Sequence, residues 1–379
     1  MPLSSYYRNC FLVISKLTIL SASPHHLAKK KPLSLAPPQC RHTYFPFSPL
    51  TSTSIKIKMS KPSARGPLPP LYLLDGGLGT TLTTQHSVLF NDSTPLWSSH
   101  LLLSPTLQTI LLSAQSSFAA AGADIILTAT YQASFEGFER QGVVGRQAGR
   151  CMRRAVGIAR DAIESGGKVA LGLGAYGAVM VPSQEYSGVY DKGHESVEQL
   201  REWHFRRIGV FSPGGEGEIE RVEREECWES VDFVLFETLP RIEEVSAVRL
   251  AMEGVNGGLG VGERKAFWIC CVFPGEGNCL PDGSTVRQVA QAMLGRDKGA
   301  VPMGVGINCT RVGKVEGLVL EFEREIRGMI ERGEVEGGEW PSLVVYPDGT
   351  KGEIYDTVKK EWVKTGDREE NLVSLSNCD

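Results

Sequence analysis

At 379 residues the chain can bury a full core, either as one large α/β barrel or as two smaller domains. Its net charge of -4 hides an asymmetry: residues 1–74 carry ten Lys/Arg and no acid, so the remainder holds 30 basic against 44 acidic residues, a net of -14. A body this acidic repels phosphate backbones and argues against a nucleic-acid partner, and nine cysteines without a repeating framework argue for free thiols in a reducing compartment.

Residues 1–58 are rich in Ser, Pro, Lys and His, and their one apolar run, 11–20, is too short and interrupted to span a membrane. No membrane contact is expected. Scattered Arg and Lys without acid resemble a mitochondrial transit peptide; the alternative is a working start at Met59, with the protein in the cytoplasm. On either reading residues 1–70 are a targeting-like or disordered extension, and the folded domain is expected over 71–379.

From residue 71 a unit repeats: a short apolar run, a turn, then an amphipathic stretch. Strands are predicted at 71–74, 125–128, 169–173, 233–236, 267–273, 305–308 and 343–346, and helices at 106–121, 146–165, 196–210, 242–253, 285–294, 314–331 and 354–362. Regular βα alternation over about 300 residues predicts a parallel sheet closed into a (β/α)8 TIM barrel, truncated at the eighth strand, for which no suitable segment follows Trp362. Two insertions interrupt the pattern. Residues 212–229 read as a solvated loop or helix extension, and 254–262, with five glycines, as a flexible surface connection.

Ligands in parallel α/β proteins collect at the carboxyl ends of strands, which ranks the motifs. Asp75-Gly76-Gly77-Leu78-Gly79-Thr80 follows the first strand, where a carboxylate and a closely approaching backbone suit an ammonium ligand; the plainer reading is a tight turn with Asp75 as helix cap. Gly172-Leu173-Gly174-Ala175-Tyr176-Gly177 matches the dinucleotide fingerprint formally. Residues 178–190, with Pro182 and Gly188, open no helix to receive a pyrophosphate, so a long active-site loop is expected instead. Glu237 ends the fourth strand and needs a partner, either a bound amine or an Arg or helix terminus. Cys270 and Cys271 lie inside the fifth strand, where neighbouring side chains face opposite ways, which suits core packing rather than shared metal binding. Asn308-Cys309-Thr310 marks the exit of the sixth strand, where Cys309 is either a reactive thiol or a small buried hydrophobe.

Together, Asp75-Gly76-Gly77-Leu78-Gly79-Thr80, Thr128-Ala129-Thr130-Tyr131-Gln132, Glu185-Tyr186-Ser187-Gly188, Phe236-Glu237-Thr238-Leu239-Pro240 and Gly306-Ile307-Asn308-Cys309-Thr310 resemble the homocysteine S-methyltransferase family in order and spacing. The resemblance implies a (β/α)8 barrel that methylates L-homocysteine to methionine, with S-methylmethionine or S-adenosylmethionine as donor. It implies that Asp75, Gly76, Gly77, Glu237 and Asn308 bind substrate, with the two carboxylates on the homocysteine ammonium. It also implies zinc, held by three thiolates of which Cys309 is one, with the fourth position open to the substrate sulfur. The family's second and third thiolates belong to a Gly-Gly-Cys-Cys motif at the end of the eighth strand, which this sequence lacks; its one late thiol is Cys378. The chain as written is therefore expected to hold zinc weakly or not at all. The readings left open are an altered C-terminus, a non-catalytic homologue that binds amino acids as a sensor or partner, and an oligomer in which another chain fills the gap.

Overall fold

Apolar runs rich in Val, Ile, Leu and Phe form six parallel strands: β1 (Ile125–Leu127), β2 (Lys168–Gly174), β3 (Phe233–Leu239), β4 (Ala266–Cys271), β5 (Gly304–Arg311) and β6 (Ser342–Asp348). They pair in sequence order in one curled sheet of a computed structural model that describes residues 71–90, 94, 96–214, 220–296, 299–348, 353–356 and 361–364. Ahead of β1, the predicted first strand is reduced to a bridge between Leu74 and Ile125. The sheet of the described residues is a half-barrel of six strands; a closed eight-stranded barrel is not shown.

Alternation along the strands sorts the core into two faces. Leu74, Ile125, Ala170, Leu235, Trp268, Cys270 and Val344 pack together on the concave side. Their neighbours Leu171, Val234, Phe236, Ile269, Cys271, Val305 and Ile307 face the helical layer. Cys270 and Cys271 thus divide between the two faces, as their adjacency predicts. Each such fully buried aliphatic or aromatic side chain contributes roughly 1.5–3 kcal/mol. At Gly306 a Cβ would lie 2.0 Å from the Val344 carbonyl oxygen and 2.8 Å from Cys270 Sγ, so only glycine lets β5 pass there.

The helices are α1 (Leu78–His86), α2 (Pro105–Ala120), α3 (Phe135–Glu139), α4 (Gly145–Asp161), α5 (Tyr176–Val179), α6 (Val197–Gly209), α7 (Arg221–Glu229), α8 (Ile242–Gly257), α9 (Val286–Leu294) and α10 (Val312–Glu331). Local chemistry sets their starts: Ser104 caps α2 with Pro105 in its first turn, and Ser196 with Gln199 and Thr285 with Gln288 form capping boxes on α6 and α9. None of the described helices is long and apolar enough to cross a membrane.

Four expectations are corrected. The helix expected at 354–362 is not found among the described residues, where Glu353–Asp356 (β7) and Glu361–Lys364 (β8) pair antiparallel as a separate two-stranded sheet. Ile354, Val358 and Trp362 fit helical spacing, but a run of nine residues is too short for periodicity to separate helix from hairpin. The insertion 212–229 includes α7, which buries Trp228 and bonds its indole N–H to the Glu263 carbonyl at 2.8 Å. The glycines after 253 do not loosen the chain at once, because α8 continues to Gly257 and a 3-10 turn follows at Val261–Glu263. Cys151, Cys227, Cys270, Cys271 and Cys309 are free thiols, whereas Cys279 is disulfide-bonded. The expectations for 1–70 and Cys378 lie outside the described residues.

Candidate active site

At the carboxyl end of the sheet two strands break register in the same way. Between Phe236 and Leu239, β3 carries one residue more than β4 opposite it; between Asn308 and Arg311, β5 carries one more than β6. The bulged residues Thr238 (φ 62°) and Cys309 (φ 47°) adopt left-handed backbone that non-glycine residues rarely take. Asn308 ties the two bulges together. Its side-chain oxygen accepts from Thr238 N at 2.8 Å, and its Nδ2 donates to Thr238 Oγ1 at 2.7 Å and lies 3.3 Å from Cys309 Sγ. The Thr238 hydroxyl, 3.8 Å away, and the Tyr186 hydroxyl also turn toward that sulfur. Burial, with the Glu237 charge beside it, pushes the Cys309 thiol up to about 12, so it is protonated near neutrality.

Asp75 is buried and accepts from Leu127 N at 2.9 Å; it does not cap α1, whose N-cap is Gly77. Gly76 lies against Phe118, where a Cβ would come 2.7 Å from the ring. Burial raises the Asp75 carboxyl well above its usual range, and the neighbouring Glu237 adds to the rise. Burial likewise brings Glu237 to about 7, opposed by the Tyr346 hydroxyl, which donates to Oε2 at 3.1 Å, and by the charge of Arg207. The two carboxylates therefore lie within electrostatic reach of each other. A Cβ on Gly172 would stand 3.2 Å from Glu237 Oε1, so the glycine leaves that oxygen room. Neither acid has an ion pair among the described residues.

Arg207 cannot serve as that counter-ion by contact. Its guanidinium donates four hydrogen bonds to main-chain carbonyls, those of Thr130, Tyr131, Ala133 and Gly174 at 2.7–2.9 Å, and so fixes the loops after β1 and β2. Thr130 Oγ1 to the Gly172 carbonyl (2.6 Å) and Gly172 N to Thr128 Oγ1 (3.1 Å) add to the same frame.

The remaining wall is the segment after α5. The expected helix-free loop opens with that single turn, then runs through Glu185 and Tyr186 to Tyr190. Glu244 holds it, accepting from Tyr176 N at 2.6 Å, the Tyr190 hydroxyl at 2.5 Å and His204 Nε2 at 2.9 Å. Tyr131, Thr238, Glu185, Tyr186, Arg207 and Tyr346 were not singled out as site residues by sequence. The quoted motifs contain four of them, Tyr131, Glu185, Tyr186 and Thr238; Arg207 and Tyr346 become visible only when the chain is folded.

Zinc asks for three protein ligands. Among the described residues no group of three His, Cys, Asp or Glu side chains could hold a metal ion. Cys309 Sγ is turned to the hydrogen-bond donors of Asn308 and Thr238. The donor set among the described residues does not fit the metal.

The family model for homocysteine S-methyltransferase matches residues 72–375. Homocysteine S-methyltransferase 3 of Zea mays is 31% identical, with 80% of this chain and 81% of the relative aligned. Selenocysteine Se-methyltransferase of Brassica oleracea var. italica is 30% identical over 80% of this chain and 79% of its own. The homocysteine methyltransferase MmuM of Escherichia coli, in its metallated form, has a similar fold with a TM-score of 0.53, at 22% identity over 74% of this chain and 92% of that structure.

Proposed function

Because the chain belongs to the homocysteine S-methyltransferase family, we propose that it binds L-homocysteine at the carboxyl end of the sheet and methylates its sulfur from S-methylmethionine or S-adenosylmethionine, giving methionine. The observation that carries this reading is the pair Asp75 and Glu237: two buried carboxylates within electrostatic reach of each other, with no ion pair among the described residues. An ammonium between them removes the repulsion and supplies charge-assisted hydrogen bonds in a site screened from water. With the amine there, Cys309 and Asn308 mark the end of the pocket reserved for the acceptor sulfur.

The reaction is a displacement at carbon. A lone pair of the acceptor sulfur forms the new S–CH3 bond, the donor's S–CH3 bond breaks, and its electron pair stays on the donor sulfur, which becomes a neutral thioether. The acceptor's thiol proton leaves to water. The protein's residues orient the acceptor and exclude solvent, and no step runs through zinc because the described donor set does not fit it.

The test is methyl transfer from each sulfonium donor to homocysteine, followed by mass spectrometry, with selenocysteine as a second acceptor because of the Brassica relative. That no group of three metal-ligating side chains occurs among the described residues favours a second reading, an amino-acid-binding homologue without catalysis. Homocysteine binding by calorimetry without methyl product establishes that reading; absence of both binding and product removes both.

A further inference from the structure

Glu185 is the buried acid that acceptor binding leaves unexplained. It is 8% exposed, and its Oε2 has no hydrogen-bond partner. Its carboxylate otherwise meets only its own backbone N–H, and no Lys, Arg or His among the described residues pairs with it. An orphaned buried carboxylate costs free energy that a fold has no reason to retain unless a ligand answers it.

The surroundings restrict what that ligand is. Glu185 lies within electrostatic reach of the Tyr131 and Tyr186 hydroxyls, and both tyrosines also feel Cys309. Tyr131 is braced edge-on by Trp97, with ring centroids 6.2 Å apart. An unpartnered carboxylate with two tyrosine hydroxyls in its field suits a cation held by charge rather than by directed hydrogen bonds, and a cation that carries no N–H asks for none. An ammonium has three donors to satisfy and is better served at Asp75 and Glu237, where a second carboxylate lies within electrostatic reach. Burial without a counter-charge brings Glu185 to about 7, in keeping with a site completed by an incoming cation.

We propose that Glu185, with Tyr131 and Tyr186 beside it, receives the positively charged sulfur of the methylsulfonium donor. This rests on the reading above and adds the second substrate's subsite: the acceptor's amine at Asp75 and Glu237, the donor's sulfonium at Glu185, and the Cys309 end of the pocket near both.

The test is calorimetric and needs no turnover. Four probes are titrated into the full chain: S-methylmethionine and its neutral counterpart methionine, and S-adenosylmethionine and S-adenosylhomocysteine; homocysteine is titrated separately. In the wild type one sulfonium binds more tightly than its neutral thioether, and the pair that shows the gap identifies the donor. Glu185→Gln weakens that sulfonium by about tenfold or more and leaves the thioether and homocysteine within about twofold. A wild type without a gap in either pair overturns the proposal. So does a variant that keeps the gap, or one that loses thioether and homocysteine in equal measure. Should Glu185→Gln fail to fold, Glu185→Asp, with its carboxylate drawn back by one methylene, is expected to narrow the gap. If the gap is present and depends on Glu185 while homocysteine neither binds nor is methylated, the donor subsite stands and the proposed acceptor reaction falls.

Discussion

Two buried carboxylates belong to the segment between α5 and α6, Glu185 within it and Glu244 reaching it from α8, and the fold treats them in opposite ways. Glu244 is fully buried and receives three donors, one from the main chain, one from Tyr190 and one from His204. Burial lowers the affinity of His204 for a proton, so the ring is neutral and donates through Nε2. Glu185 is almost as buried but leaves an oxygen without a partner. Asp75 and Glu237 resemble Glu185: each is buried, raised, and short of a counter-charge. Depth of burial alone therefore says little about an acid's role. What separates a structural carboxylate from one kept for a ligand is whether the fold itself supplies the donors.

The contrast is tested most severely at Glu244. Glu244→Leu strands the Tyr176 N–H, the Tyr190 hydroxyl and His204 together and should lower stability by about 3–5 kcal/mol in urea unfolding. A loss below about 1 kcal/mol would remove the distinction between the two kinds of acid. Next in size is Asn308→Ala, which leaves Thr238 N and its hydroxyl without their partner and should cost about 2–3 kcal/mol by the same measurement.

Glu237→Gln should have the opposite sign. The Glu237 carboxyl stands at about 7 in the fold against an ordinary 4.5, so the ionised acid weakens the fold. That penalty is absent below about pH 4.5, grows as pH rises toward 7, and is complete above it. The amide variant should therefore be about 2 kcal/mol more stable than wild type at pH 8 and show no gain at pH 4, while homocysteine affinity falls by about tenfold or more. Stability curves across that range check the sign, and a gain at pH 4 that matched the gain at pH 8 would refute the electrostatic cause. The smallest effect is expected for Cys309→Ser, which preserves the side chain's size and its neutral state: under about 1 kcal/mol in stability, with methyl transfer as the readout for a functional role.

Much of this frame is legible in the sequence, for a physical reason. Asp75, Glu237, Asn308 and Cys309 each follow an apolar run, and a parallel sheet delivers the ends of such runs to one rim. Glu185 lies in a polar stretch without periodicity, so its motif could be recognised but neither its burial nor its missing partner could be read. Arg207 is hidden more deeply, as one of several basic residues on a helix; that it clamps two loops depends on which face of α6 the sheet covers. The antiparallel pair β7 and β8 is not legible in the sequence because alternation and helical spacing coincide in so short a run.

The paired bulges make the site sensitive to length in a way that substitutions do not probe. Side chains alternate between the two faces of a strand, so deleting one residue from the Glu237-Thr238 step would restore an unbroken ladder with β4 and send the remaining side chain to another face. A deletion at Cys309-Thr310 would do the same to β5. Scanning single-codon deletions through both strand ends should thus find residues that tolerate replacement yet cannot be omitted. Each bulge is a count of residues, and through Asn308 the two counts must agree.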